Sequence, residues 1–232
     1  MKAVSILSGG LDSTVATMIA KEEYDEVTAI TFNYGQKAFK REVSAAKKIC
    51  EILGIKHVII NLEFVKLFNK GSLITDEELP KIKIEELNTE KAFETMKAVW
   101  VPARNLIFLS IASGFAEAYE MDRVIIGINK EEGQTFPDNR IEFIEAFNNA
   151  LKYGTLKDIK VEAPLYDKSK EEIVKIGHEL EKKYGEVLRY TYSCYKDNGK
   201  DFLHCGECES CMRRKRAFML AKVEDKTEYL TN

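Results

Sequence analysis

Two groups of residues in this chain have the types and spacing that chemistry requires. The first is Ser8-Gly9-Gly10-Leu11-Asp12-Ser13, directly after the apolar run Ala3-Val4-Ser5-Ile6-Leu7. A strand that ends in two glycines and then enters a helix leaves several backbone N–H groups pointing outward together. Glycine accepts the positive φ such a turn needs and lets a ligand approach the main chain closely. The new helix adds its own unpaired N–H groups and the positive end of its dipole, so the turn suits phosphate. Leu7, Ser8, Gly9, Gly10, Leu11, Asp12, Ser13 and Thr14 are the candidate phosphate-binding residues. Asp12 suits a magnesium ion that meets the phosphates in turn. The plainer alternative is a tight strand-to-helix turn capped by Ser or Asp. The common nucleotide loop Gly-x-x-x-x-Gly-Lys-Ser/Thr is absent, and with it the Lys that addresses β- and γ-phosphates.

The second group is Cys194, Cys205, Cys208 and Cys211, the last three as overlapping Cys-x-x-Cys units. Four thiolates complete the tetrahedral shell of a structural zinc ion and leave no position open for water or substrate. An iron–sulfur cluster uses similar spacing, but there the fourth cysteine usually follows the trio, whereas here it comes first. A redox dithiol would leave two of the four unexplained. Met212-Arg213-Arg214-Lys215-Arg216 follows at once, and local neutralisation of the thiolates together with a helix start accounts for it. Cys50 stands alone in an apolar helical pattern, as a small core residue would.

Two further loops carry candidates. In Val101-Pro102-Ala103-Arg104-Asn105, Pro102 biases Val101 towards an extended conformation and Asn105 is a suitable helix cap. Arg104 then lies near a helix N-terminus, an awkward place for a cation unless an anion is present. ATP phosphate, a substrate carboxylate or an internal salt bridge would each supply one. The loop 128–140 is acidic and carries an aromatic ring. Glu131, Glu132 or Asp138 there could accept the adjacent N–H groups of a guanine-like ring while Phe136 stacks on it; a solvated loop is equally consistent.

These residues need a frame. Short β-branched runs at Ala3–Leu7, Val27–Phe32, His57–Asn61, Val124–Gly127 and Ile159–Ala163 alternate with helical patterns. Val43, Ala46, Ile49, Cys50 and Leu53 recur at helical spacing, with Gly54 as C-cap. Asn105 to Met121 and Glu142 to Tyr153 read as further helices, and Ser169 with Glu172 as a capping box opening a helix to about Tyr184. The pattern predicts an α/β fold, a Rossmann-like parallel sheet with helices on both faces. Its ligand belongs beyond the carboxyl ends of the strands, where strand order reverses. There Phe32 and Tyr34 could wall an adenine ring or simply pack. The expected division is a nucleotide-binding domain at 1–186 and a four-cysteine region at 187–232. Residues 69–98, with Gly71 and Pro80, break the alternation; a lid, an oligomer contact and a solvated insertion are all open.

At 232 residues with 45% hydrophobic and 31% charged side chains, the composition is that of a soluble globular enzyme. No run reaches the roughly 18 apolar residues of a membrane span, and nothing reads as a signal peptide, so the cytoplasm is the expected location. A formal charge of −3 argues against a large nucleic-acid footprint.

The Ser-Gly-Gly-x-Asp-Ser turn resembles the loop of the N-type ATP pyrophosphatases (the PP-loop superfamily). Together with Phe32-Asn33-Tyr34-Gly35-Gln36, Val101-Pro102-Ala103-Arg104-Asn105, Phe136-Pro137-Asp138-Asn139-Arg140 and the four cysteines, it is similar to the 7-cyano-7-deazaguanine synthase family. Bacterial members carry Ser-Gly-Tyr-Pro-Asp-Cys where this chain has Gln134-Thr135-Phe136-Pro137-Asp138-Asn139; the form here resembles the archaeal branch. The resemblance implies an ATP-dependent ligase acting on 7-carboxy-7-deazaguanine and ammonia. Adenylation would occur once on the acid and once on the amide, with Mg²⁺ at the phosphates and one structural Zn²⁺. It implies catalytic roles for Asp12 and Arg104, with help from Lys37, and substrate contacts at Arg104, Glu131, Phe136 and Asp138. Partners would be small molecules alone, without direct nucleic acid or membrane contact, with a homodimer as the oligomeric option. The rivals are a transfer-RNA sulfur-inserting enzyme of the same superfamily and a nucleotide-binding signalling module without chemistry.

Overall fold

The computed structural model describes residues 1–68, 71–75, 79, 81–87, 89, 95 and 97–231. Five strands, β1 (Lys2–Ile6), β2 (Glu26–Asn33), β3 (Lys56–Asn61), β4 (Arg123–Ile125) and β5 (Lys160–Glu162), form one parallel sheet in the order β3-β2-β1-β4-β5. All five coincide with the runs read from the sequence. The inner strands β1 and β2 are buried on both faces, which is why they read as near-continuous apolar runs and not as alternation. Strand order reverses between β1 and β4, so this is the Rossmann-like arrangement, with its crevice above those two strands.

Helices cover both faces. They are α1 (Leu11–Glu23), α2 (Phe39–Leu53), α3 (Arg104–Ala118), the one-turn α4 (Lys130–Gly133), α5 (Ile141–Gly154), α6 (Lys170–Tyr184) and α7 (Glu209–Ala221). α2 buries Val43, Ala46, Ile49, Cys50 and Leu53, as its period requires, and ends on Gly54 in the left-handed conformation. α6 opens on the Ser169–Glu172 capping box. One core cluster joins β1, β2 and β4 to α3 and α5, and another joins α1 to α6 and α7. A third packs α2 against all four cysteines of the C-terminal group.

Two details differ from expectation. Asn105 does not cap α3. Ala103 does, with φ 53°, and the Asn105 side chain instead donates to the Asp138 carbonyl at 3.1 Å. α1 has Gly10 as its N-cap, with no side-chain capping bond. The reading of 69–98 falls partly outside the described residues, Pro80 included. Its described residues turn inward: Leu73, Leu79, Ile82 and Leu87 are buried, and Lys81 bridges antiparallel to Cys208.

The turn after β1 is held by close approach. A Cβ on Gly127, beyond β4, would lie 2.6 Å from Ser13 Cα and 2.7 Å from Ser13 N. Only glycine there lets the first turn of α1 sit against the end of β4. Gly127→Ala is therefore expected to destabilise the protein by about 1–3 kcal/mol, as overpacking does. Urea titration checks this, and an unchanged midpoint would mean that the turn yields without strain.

Candidate active site

The crevice at the switch point is a cleft of about 1100 Å³, open solvent at its mouth included. Leu7, Ser8, Gly10, Leu11, Asp12 and Ser13 line it from the β1 turn, and Arg104 from the start of α3. Gly9 lies just behind, with φ 83°; a Cβ there would meet the Glu42 carbonyl at 2.5 Å. Thr14 is buried, and its hydroxyl donates to the Gly10 carbonyl at 2.7 Å. The Ser8 and Ser13 hydroxyls are 2.9 Å apart and reach back to the turn itself, through Gly10 N–H to Ser8 Oγ at 3.2 Å. The Gly9 carbonyl accepts from Tyr192 N–H at 2.7 Å, which pins the turn to the segment leading into the cysteines.

Asp12 sits at the centre. Its Oδ2 accepts from Lys170 Nζ at 2.6 Å and from Asn129 Nδ2 at 3.1 Å. Its Oδ1 is buried and has no hydrogen-bond partner. A buried carboxylate oxygen left without a donor is costly, and a cation there would satisfy it. Lys170 also meets Glu132 Oε1 at 3.0 Å. The formal sum is −1 − 1 + 1 = −1, a balance that suits a divalent cation. Burial pushes the Asp12 carboxyl up, with Lys170 opposing. For Glu132 burial works the same way, but Lys170 outweighs it and the carboxyl lies below its ordinary value. The Lys170 ammonium loses hydration on burial, yet Asp12 and Glu132 hold it charged.

Arg104 is half-buried and bonds the Tyr34 hydroxyl. Among the described residues no carboxylate lies within 4.0 Å of it, so the internal salt bridge considered from the sequence does not form. For Phe32 and Tyr34 the structure shows packing together with a place on the cleft wall. They line the cleft and pack on Phe108, Phe32 stacking at 4.3 Å between ring centroids. Lys37 is outside the lining; its N–H donates to the Leu73 carbonyl at 2.9 Å.

The acidic loop is arranged differently from the sequence reading. Glu131, Phe136 and Asp138 are not among the residues that line the cleft. Glu131 faces α7, where Arg216 Nη2 and Arg213 Nη1 approach its Oε2 at 3.0 and 3.4 Å. Phe136 stacks on Trp100 at 5.3 Å. Asp138 is buried behind the cleft, accepting from Asn105 N–H at 3.3 Å and Asn139 Nδ2 at 2.9 Å. Of the three loop carboxylates weighed from the sequence, Glu132 reaches the cleft; Asn139, Gln36 and Glu42 join it, with Lys170, Ser193 and Arg214. Ser169-Lys170, in the capping box that marks the start of α6, was the one signal for Lys170. Nothing in the spacing foretold Arg214, which is 2% exposed and tied to Asp225 and Thr191.

The Sγ atoms of Cys194, Cys205, Cys208 and Cys211 all lie within 4.8 Å of one another and could hold a metal ion. Cys205–Cys211 and Cys208–Cys211 are 3.9 and 3.4 Å apart. A tetrahedral Zn–S shell requires about 3.8 Å between sulfurs, so the donor set fits. Backbone N–H groups of Lys196, Cys205, Glu207 and Cys208 and the Asn198 amide approach Cys194 and Cys205 sulfur at 3.4–3.5 Å. The expected neutralisation by the following cations takes another form. Arg213 and Arg216 pair with Glu131, and Arg214 with Asp225.

Fold and site together define a doubly wound α/β protein with a glycine turn at its switch point and, beside it, four cysteines positioned to hold a metal ion. Residues 2–222 match the family described as "Queuosine biosynthesis protein QueC", and the chain belongs to that family. It is 71% identical to a protein of Methanocaldococcus jannaschii named 7-cyano-7-deazaguanine synthase, over 99% of this chain and 100% of that one. It is 50% identical to one of that name from Methanosphaera stadtmanae, over 98% of each. A solved structure of a 4-thiouridine synthetase–RNA complex with bound ATP shares the fold, at TM-score 0.51 and 19% identity, over 98% of this chain and 47% of that one. No helix among the described residues is long and apolar enough to cross a membrane.

Because metal affinity and folding free energy are coupled, Cys208→Ser is expected to lose bound metal and lower the melting temperature together. Metal analysis of the purified variant beside a thermal scan checks this. Full metal content at an unchanged melting temperature would separate the cysteines from any metal.

Proposed function

We propose that this chain is an ATP-dependent ligase that converts 7-carboxy-7-deazaguanine and ammonia to 7-cyano-7-deazaguanine. The observation that carries the chemistry is the buried, unpartnered Asp12 Oδ1 beside the glycine turn, in a cleft that also holds Arg104. Leu7 to Thr14 would clasp the outer phosphates through backbone N–H groups, and Asp12 would hold Mg²⁺, which supplies charge neutralisation at the phosphates. Asn129 and Lys170 fix the Asp12 carboxylate from its other side. Arg104, without a carboxylate within 4.0 Å among the described residues, would bind the substrate acid and turn its oxygen towards the α-phosphorus. Positioning of this kind removes the entropic part of a bimolecular barrier.

Of the carboxylates weighed from the sequence for the deazaguanine ring, Glu132 would make the contact, joined by Asn139, since both reach the cleft. Phe136 contributes from behind, through Trp100. We assign zinc to the four cysteines, because four thiolates within 4.8 Å of one another suit its tetrahedral shell and the metal would support the fold. Residues 1–186 would then form the nucleotide-binding domain and 187–232 a metal-stapled region docked on it. The protein would act on small molecules in the cytoplasm, with a homodimer as its assembly.

Sulfur insertion into transfer RNA is the less suited reading. It needs a reactive cysteine pair, but four cysteines converge on one site and burial pushes the remaining Cys50 thiol up to about 12.

Carboxylate to nitrile removes two oxygens, so two adenylations are required. Incubation with ATP, ammonia and the acid should give two AMP and two pyrophosphate per nitrile, read by chromatography. ADP and orthophosphate as the nucleotide products would overturn the mechanism. Asp12→Asn should reduce turnover at least about 10²-fold with the fold intact; wild-type rates in that variant would remove the magnesium role.

A further inference from the structure

Three carboxylates line the cleft: Asp12, Glu132 and Glu42. The first two share the Lys170 ammonium. Glu42 has no cation within 4.0 Å among the described residues. It is nonetheless held firmly. Gln36 Oε1 accepts from Tyr34 N–H at 3.0 Å, and Gln36 Nε2 donates to the Phe32 carbonyl at 3.0 Å and to Glu42 Oε2 at 2.7 Å. Both amide hydrogens of Gln36 are thereby used, so the side chain cannot turn without losing bonds. Glu42 Oε1 accepts no hydrogen bond among the described residues and belongs to a side chain on the cleft wall. The charged and titratable groups facing Glu42 are Arg104, from the start of α3, and the Tyr34 phenol at the end of β2.

Ammonia cannot become a nitrile without shedding all its protons, and Glu42 is the carboxylate of the cleft lining with no cation within 4.0 Å among the described residues. Asp12 and Glu132 share the Lys170 ammonium and keep a net charge of −1 for a divalent cation. Asp138 and Glu131 lie outside the lining, the latter paired with Arg213 and Arg216.

Building on the ligase reading, we infer that Glu42 is the proton acceptor for the substrate nitrogen in both halves of the reaction. In the first half the ammonia lone pair forms the C–N bond, the C–O bond to AMP breaks, and AMP leaves with that electron pair. One N–H proton passes to Glu42 Oε1, leaving the amide. In the second half the amide oxygen takes the adenylyl group from a second ATP as pyrophosphate leaves. The nitrogen then gives up its two remaining protons in turn while the C–O bond to AMP breaks and the triple bond forms. Between transfers Glu42 returns each proton to water at the cleft mouth. Burial lifts its carboxyl to about 7, against the opposing Gln36 bond and Arg104 charge, so near neutral pH it can both take and release a proton.

The test is Glu42→Gln, which keeps the shape but cannot accept a proton. Acid-dependent ATP–pyrophosphate exchange without ammonia should stay within about twofold of wild type, whereas nitrile formation falls by about 10²–10⁴-fold. At constant free ammonia the wild-type rate should rise with pH through a midpoint near 7, because only the ionised carboxyl accepts. That limb should vanish in Glu42→Gln and persist, at lower rate, in Glu42→Asp. Exchange lost together with a raised KM for the acid would make Glu42 a substrate contact and overturn the inference. So would nitrile formation at the wild-type rate. Absence of exchange in the native protein would overturn the ligase reading itself.

Discussion

One buried ammonium ties the cleft together. Lys170 begins α6, yet its Nζ lies against Asp12 of α1 and Glu132 of α4. Three elements far apart in sequence thus meet on a single charge. Desolvating these groups costs several kcal/mol each, and their mutual attraction repays that only while the ammonium is in place. Removing the Lys170 charge would leave both carboxylates uncompensated, a loss that typically costs about 3–5 kcal/mol, whereas losing one carboxylate leaves Lys170 paired with the other. The arrangement favours specificity of shape over raw stability. It fixes where Asp12 Oδ1 points, and that atom is the one buried carboxylate oxygen of the described residues left without a partner. The fold thus leaves vacant the acceptor that a cation can fill.

The cysteine cluster is coupled to the same place. Cys208 precedes α7 as its N-cap and Cys211 lies in its first turn. Arg213 and Arg216 of that helix reach Glu131, the neighbour of Glu132, while Arg214 lines the cleft from below. Tyr192, two residues before Cys194, holds the Gly9 carbonyl. A metal held by the sulfurs would therefore fix α7 and the segment around Tyr192, both of which border the glycine turn. A closed four-sulfur shell cannot act on substrate directly, but it can decide whether the cleft keeps its shape.

Most of the frame was legible in the sequence because it follows from local periodicity. The doubly buried strands, the α2 stripe, Gly54 and the Ser169 capping box each depend on residues close in the chain. The glycine turn and the cysteine cluster were legible because their chemistry is written in residue type and spacing. The acidic loop was not. Glu131 and Glu132 are adjacent and alike, yet Glu131 meets the α7 arginines and the Lys170 backbone N–H while Glu132 meets the Lys170 ammonium. Asn105 looked like a cap because the residue type is right. What decides is Asp138, 33 positions on, which draws its side chain and N–H away and leaves Ala103 to make the turn.

Two of the cleft carboxylates, Glu132 and Glu42, feel the charge of Arg104 and complete the logic of the cleft. Arg104 acts electrostatically on both Glu132 and Glu42, but their fates diverge. Lys170 keeps Glu132 ionised below its ordinary range, fit to accept hydrogen bonds from a ligand without ever taking its proton. Glu42 has burial without a nearby ammonium, and its carboxyl rises to about 7. Environments that drive like groups apart in this way divide the work between them, one as a fixed negative partner and the other as a proton carrier. Exchanging those roles would require moving the Lys170 ammonium across the cleft, and the start of α6 does not allow it.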